Sequence, residues 1–176
     1  MDSSHDRHGG RVMPNHCSNS LHLDGELKHR QEFVDKNKGF DWGDRDKKGE
    51  YKDLSFHAQV PVPQKHISAT AKNPSENGWY SWCNKNWGTK WDTYDLELTH
   101  EKGYTYYSFD SAWSPPSAWI QKVSRKFPHL KFNVTWAEEG GGGGRFMFYQ
   151  GELCYETSMT EEEWRKYQGY EEDEDN

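Results

Sequence analysis

Hydrophobic positions along this chain recur with two different periods, and the change from one to the other marks out its elements. Ser20-Leu21-His22-Leu23 alternates polar and apolar and ends at Gly25, which predicts a short first strand. Glu26 to Lys38 carries Leu27, Phe33 and Val34 at helical spacing among charges, with Gly39 placed to stop the helix. Leu54-Ser55-Phe56-His57-Ala58-Gln59-Val60 alternates again. It predicts a half-buried strand with His57 on the polar face, closed by Pro61 and Pro63, which cannot donate to a central ladder. Trp79 to Asn86 predicts a short helix with Trp79, Trp82 and Cys83 on one face, broken by Gly88.

The second half is more regular. Leu96 and Leu98 alternate, His100 to Gly103 turns, and Tyr104 to Phe109 returns with aromatic strand formers, which predicts a hairpin. Ser114 before Pro115 and Pro116 predicts a helix start, because proline is accepted in a first turn whose N–H groups lack helical partners anyway. Trp119, Ile120, Val123 and Phe127 then form one apolar stripe as far as Pro128. Leu130, Phe132, Val134 and Trp136 give the cleanest strand signal. A turn over Glu138 to Gly144 and a hairpin of Phe146–Tyr149 with Leu153–Glu156 follow, and Thr160-Glu161-Glu162-Glu163 is a capping box for a last short helix. The order strand, strand, helix, strand, strand, strand predicts an α+β fold, a mostly antiparallel sheet with helices packed on one face.

Composition changes this picture in one respect. Only 32% of residues are apolar while 15% are aromatic, so core volume must come from a few large rings, each burying about 150–250 Å². No window approaches the roughly 18 apolar residues of a membrane span, and Met1 to Pro14 has no apolar stretch of a secretory signal. A cytoplasmic location is therefore expected. Cys17, Cys83 and Cys154 are odd in number and far apart, which fits reduced structural thiols. Residues 1–17 have the composition of a disordered tail, 18–159 that of a single domain, and 160–176 that of a short helix with an acidic end. From Thr160 onward eight acids oppose two bases, which supplies −6 of the net charge of −7. A chain of this balance, without a basic stripe, is poorly suited to generic duplex binding.

Candidate chemistry is thin. The Gly140–Gly144 run before Arg145 lacks the spacing of a phosphate loop and joins strands, so it reads as a hairpin tip. Glu138 and Glu139 are adjacent on a strand and point to opposite faces, which does not make an acid/base pair. The nine histidines show neither HxxxH nor HxH spacing. No metal, cofactor or catalytic group is therefore assigned.

The densest cluster runs from Trp79 to Asp92, four indoles in fourteen residues. One reading is an aromatic platform for sugars or unstacked bases; the other is that these rings fill a core short of aliphatics, with Asn84, Asn86 and Asp92 at hand to accept indole N–H groups. The second is preferred, so Trp79, Trp82, Trp87, Trp91, Asp92, Trp113, Pro115 and Pro116 are expected to be structural.

Trp79-Tyr80-x-Trp82-Cys83-x-x-Asn86-Trp87-Gly88-Thr89-Lys90-Trp91-Asp92, followed by Tyr107-Ser108-Phe109-Asp110-Ser111-Ala112-Trp113-Ser114-Pro115-Pro116 and Phe127-Pro128, resembles the YubB-type ferredoxin-like proteins of bacteriophages and conjugative plasmids. The resemblance covers about residues 19–156. The chain departs from it in its long N-terminal tail, in Ser111 where threonine is more typical, in its five-glycine run and in its acidic end. The resemblance implies a ferredoxin-like fold and a mobile-element setting, in which small accessory proteins often bind and disable a host system. The leading expectation is accordingly a non-catalytic protein that binds a bacterial host or antiviral defence protein, such as a CRISPR effector. Glu171, Glu172, Asp173, Glu174 and Asp175 would then compete with phosphate for a basic cleft. A single-stranded nucleic-acid binder using Tyr104, Tyr106 or Tyr107 on the sheet is the second expectation, and an enzyme the third.

Overall fold

The structure, a computed structural model, describes residues 15–40, 51–67 and 78–169. The proposed tail at 1–14, Trp42 and the acids Glu171–Asp175 lie outside the described residues. Six strands form one antiparallel sheet. In spatial order they are β4 (Tyr94–His100), β5 (Thr105–Ala112), β1 (His16–Asp24), β6 (Lys131–Glu138), β7 (Gly143–Tyr149) and β8 (Glu152–Ser158). Helix α1 (Leu27–Asn37) connects β1 towards β4, and α5 (Ser117–Lys126) connects β5 to β6. Without the last hairpin this is a βαββαβ unit whose strands lie in the order 4-1-3-2 when renumbered within it. That is the ferredoxin-like arrangement, here widened by β7 and β8.

Strand register decides which residues meet the helices. Leu21 stands between Tyr107 on β5 and Val134 on β6, and Leu23 opposite Phe132, so all five point to the same face. Phe146 and Phe148 continue that face on β7. Each of these side chains is buried, as are Phe33 and Val34 of α1 and Trp119, Ile120 and Val123 of α5. Phe33 packs edge-on to Tyr107, Trp119, Phe127 and Phe132, so the core is a mesh of rings, as the scarcity of aliphatics demands.

Three local expectations need correction. The first strand begins at His16, and Cys17 is a buried strand residue rather than the end of a tail. The segment 54–60 is a single helical turn, α2 (Phe56–Gln59), and not a strand. Its backbone is held by partners far away: Ser55 N–H donates to Asn37 O and Phe56 N–H to the Asp92 carboxylate, which leaves no ladder to join. His57 is consequently half-buried, its Nδ1 accepting from Val62 N–H, and burial holds its pKa below the usual histidine value. The third correction concerns Ser114, whose hydroxyl donates to Gly88 O instead of capping α5; Pro116 occupies the N-cap position.

The remaining elements are a two-residue ribbon of β2 (Gly39–Phe40) and β3 (Tyr51–Lys52), a turn α3 (Gln64–Ile67), α4 (Trp79–Trp87) and α6 (Glu161–Tyr167). Gly88 ends α4 in the left-handed conformation at φ 89°, and a Cβ there would press on Pro115 O and Ser117 N at 3.2 Å. The end of α4 therefore rests directly on the start of α5. The capping box of α6 forms as its sequence requires, with Thr160 and Glu163 bonding reciprocally. On the sheet face away from α1 and α5, the Tyr167 hydroxyl of α6 meets Ser20 Oγ at 2.7 Å and Trp164 Nε1 donates to Glu138 O at 2.9 Å.

Candidate functional site

The two motif stretches, 79–92 and 107–116, come together at one end of the sheet. Thr89 is the hinge between them: its buried hydroxyl donates to Ala112 O at 2.8 Å and accepts from Ala112 N–H at 3.1 Å. Ser114 Oγ reaches Gly88 O at 2.6 Å, Ser111 Oγ reaches Ser114 O at 2.8 Å, and Trp113 N–H donates to Asn15 O at 3.0 Å. Ser111, the position where threonine is more typical, keeps its hydroxyl fully engaged, since it also accepts from Asn19 Nδ2 at 2.8 Å.

Asp92 anchors the other side. It is buried and accepts from Phe56 N–H, Thr93 N–H and Ser55 Oγ at 2.7, 2.9 and 2.8 Å. Burial raises its pKa above the ordinary aspartate value, against the pull of those three donors and of Lys52. The indoles take other acceptors than those expected from the sequence. Trp87 Nε1 donates to Val60 O and Trp119 Nε1 to Phe56 O, while the amides of Asn84 and Asn86 turn back onto α4 to bond Tyr80 O and Trp82 O.

This anchoring separates the motif tryptophans into two sets. Trp87 is fully buried, and Trp79 and Trp82 are partly buried against the core. Trp91 and Trp113 do not fill the core: they are 36% and 52% exposed, so the expectation that they are core residues fails for both. Pro116 is buried and Pro115 half-buried, consistent with a structural place at the start of α5. The physical reason is local. Thr89 and Asp92 are tied inward, so Lys90 and Trp91 between them face out. Ala112 and Ser114 are tied down on either side of Trp113, which projects with φ 75°. A bulky non-glycine residue there costs about 1–3 kcal/mol and persists only where its surroundings impose it.

Lys90 lies between the two exposed indoles. Its Nζ is 4.2 Å from the Trp91 ring centroid and 5.3 Å from that of Trp113, within the range of a cation–π contact to both. Burial lowers the Lys90 pKa below the usual lysine value. Acidic groups gather at the same end of the sheet. Asp110, three residues before Trp113, is 3.7 Å from His16 Nδ1. Burial raises the Asp110 carboxyl, and the charges of Asp95 and Glu139 raise it further. The Lys90–Trp91–Trp113 corner is the candidate functional site.

Other places offer less. Tyr107 lies buried on the helix face, and Tyr106 on the opposite face is tied to Ser20, which Tyr167 of α6 also holds. Of the three sheet tyrosines proposed for nucleic acid only Tyr104 is exposed. The glycine run forms the β6–β7 tip, with Gly141 and Gly142 at positive φ, beside an open cavity of about 420 Å³ shared with Met159, Thr160, Glu161 and Trp164. Cys17 is a buried thiol whose pKa burial pushes up to about 12. Among the described residues no group of three or more His, Cys, Asp or Glu is placed to hold a metal ion, and no helix is long and apolar enough to cross a membrane.

By topology the molecule is a ferredoxin-like α+β protein with an extra hairpin. A family model described as the ferredoxin-like domain in Api92-like protein matches residues 86–176, just over half of the chain, and the chain belongs to that family. The matched segment includes Trp87, Trp91, Asp92 and Trp113. A crystal structure of the protein api92 from Yersinia pseudotuberculosis is similar at a TM-score of 0.53 and 12% identity, a likeness of fold alone. The similarity covers 68% of this chain and 44% of that one, so the chain spans less than half the length of that relative. No curated protein matches.

Proposed function

We propose that the chain is a non-catalytic binding protein whose contact surface is centred on Trp91 and Trp113, and that its partner is a protein. The observation that carries this reading is the presentation of Trp113: a large apolar side chain, half exposed, held in a costly backbone conformation by hydrogen bonds on both flanks. Strain of this kind accumulates where a side chain must be aimed, and tryptophan dominates the energetic centres of protein interfaces. The engagement of Tyr106 and the burial of Tyr107 weigh against stacking of bases on the sheet. The resemblance to YubB-type proteins supports a phage or plasmid origin, action in the bacterial cytoplasm and a host protein, such as an antiviral defence component, as the target that is inhibited.

The test compares the wild type with the double variant Trp91→Ala, Trp113→Ala as baits in bacterial lysate, alongside a labelled single-stranded oligonucleotide. One dominant protein captured by the wild type and lost with the double variant is the expected result. Equal capture by both, or a salt-sensitive shift of the oligonucleotide in place of protein capture, overturns the reading.

A further inference from the structure

The proposed contact surface contains a filled site. Two indoles from separate loops, Trp91 and Trp113, bracket one ammonium, and that ammonium belongs to the chain itself. The ring faces that Lys90 occupies are the ones any cation would seek, because the negative face of an indole attracts positive charge. We infer that the Trp91–Trp113 pair is a receptor for a cationic side chain, an arginine or lysine in a basic segment of the partner protein, and that Lys90 is a stand-in occupant which that side chain displaces.

One observation selects a basic partner over an acidic one. The lysine ammonium is turned onto the ring faces, so it is engaged in filling the pair rather than presented outward to an anion. An arriving guanidinium gains both indole faces, which attract positive and repel negative charge. Guanidinium also stacks flat on an indole, which an ammonium does not.

This inference rests on the reading of the corner as a contact surface, and the experiment separates the two. The full chain is titrated with acetyl-Gly-Arg-Gly-amide while the indole Nε1–H resonances of Trp91 and Trp113 are followed by NMR. Acetyl-Gly-Glu-Gly-amide serves as the opposite-charge control. The arginine probe is expected to move both resonances and to bind Lys90→Ala about fivefold more tightly than wild type, the gain reflecting loss of the internal competitor. Lys90→Met, which keeps the volume and removes the charge, is expected to bind no more weakly than wild type. Unmoved resonances in Lys90→Ala, or an equal response to the glutamate probe, overturn the inference. The same variants as lysate baits complete the separation. If Lys90→Ala captures the partner no better than wild type while Trp113→Ala captures none, the contact surface stands and the cation receptor falls. If the tryptophan variants capture normally but the arginine probe still binds at the corner, the receptor stands and the contact surface falls.

Discussion

Trp87 and Trp91 are four residues apart in one motif, and they serve opposite ends. Trp87 is fully enclosed, edge-on to Phe56 at 5.7 Å and Trp82 at 6.0 Å, with its N–H satisfied by Val60 O. Trp91 sits on the surface over a lysine. The same contrast separates Trp119 from Trp113, six residues apart: one is buried with its N–H on Phe56 O, the other is half exposed at a strained backbone position. An aromatic-rich sequence therefore does not define a single use for its rings. What separates the two sets is the side chains between them, Thr89 and Asp92 on one loop and Ala112 and Ser114 on the other, which are bound inward and leave their neighbours outside.

The comparison breaks first in stability. Trp87→Ala and Trp119→Ala should each cost about 3–5 kcal/mol in denaturant unfolding, a large part of the stability of such a domain. A loss under about 1 kcal/mol for either would remove it from the core set. Next comes the anchor. Asp92→Ala strands two buried backbone N–H groups and leaves the Ser55 hydroxyl only its longer bond to Phe40 O, and should cost about 2–4 kcal/mol.

Asp92 also yields a pH signature. Its folded pKa is raised, so between the unfolded and folded values the native chain holds a proton that the unfolded chain has released. The stability of wild type relative to Asp92→Asn should therefore be greatest below the ordinary aspartate pKa and fall as pH rises through the raised one. A difference that is flat with pH, measured by unfolding both proteins from pH 3 to about pH 8, would show that the carboxyl is not raised.

The exposed set should behave in the reverse manner. Trp91→Ala should change stability by less than about 1 kcal/mol, the worth of an exposed cation–π contact. Trp113→Gly should leave it equal or raise it by up to about 1 kcal/mol, because glycine adopts the positive φ without strain. Both should nonetheless lose the partner in a binding assay. A large drop in melting temperature for Trp113→Gly would place it with the core residues after all. The smallest expected effect is that of deleting residues 170–176: no change in thermal stability, but slower association with a basic partner at low salt, the difference vanishing once ions screen beyond about 8–10 Å. Equal on-rates at low salt would exclude the tail from partner capture.

Much of the architecture was legible in the chain. Alternation at 130–136, the hairpin turns at 100–103 and 150–151, the stripe at 119–127 and the Thr160 capping box are local patterns, and local hydrogen bonding realises them. The segment 54–60 alternated like a strand and became a helical turn because Asn37 and Asp92, 18 and 36 residues from the groups they bind, took its N–H groups first. The exposed corner was not legible for the same reason. The motif announced four indoles, Asp92 and the Ser-Pro-Pro start, yet nothing in a one-dimensional pattern says which rings are enclosed.

The sequence by itself determined the periods, the turns, the reliance on aromatic volume and the α+β class, because each depends on neighbours within a few residues. Only the tertiary structure decided that Lys90, Trp91 and Trp113 share one exposed corner. That corner exists because Thr89 bonds Ala112 across 23 residues and Ser114 bonds Gly88 across 26, and an outward direction is fixed only once those distant partners have closed.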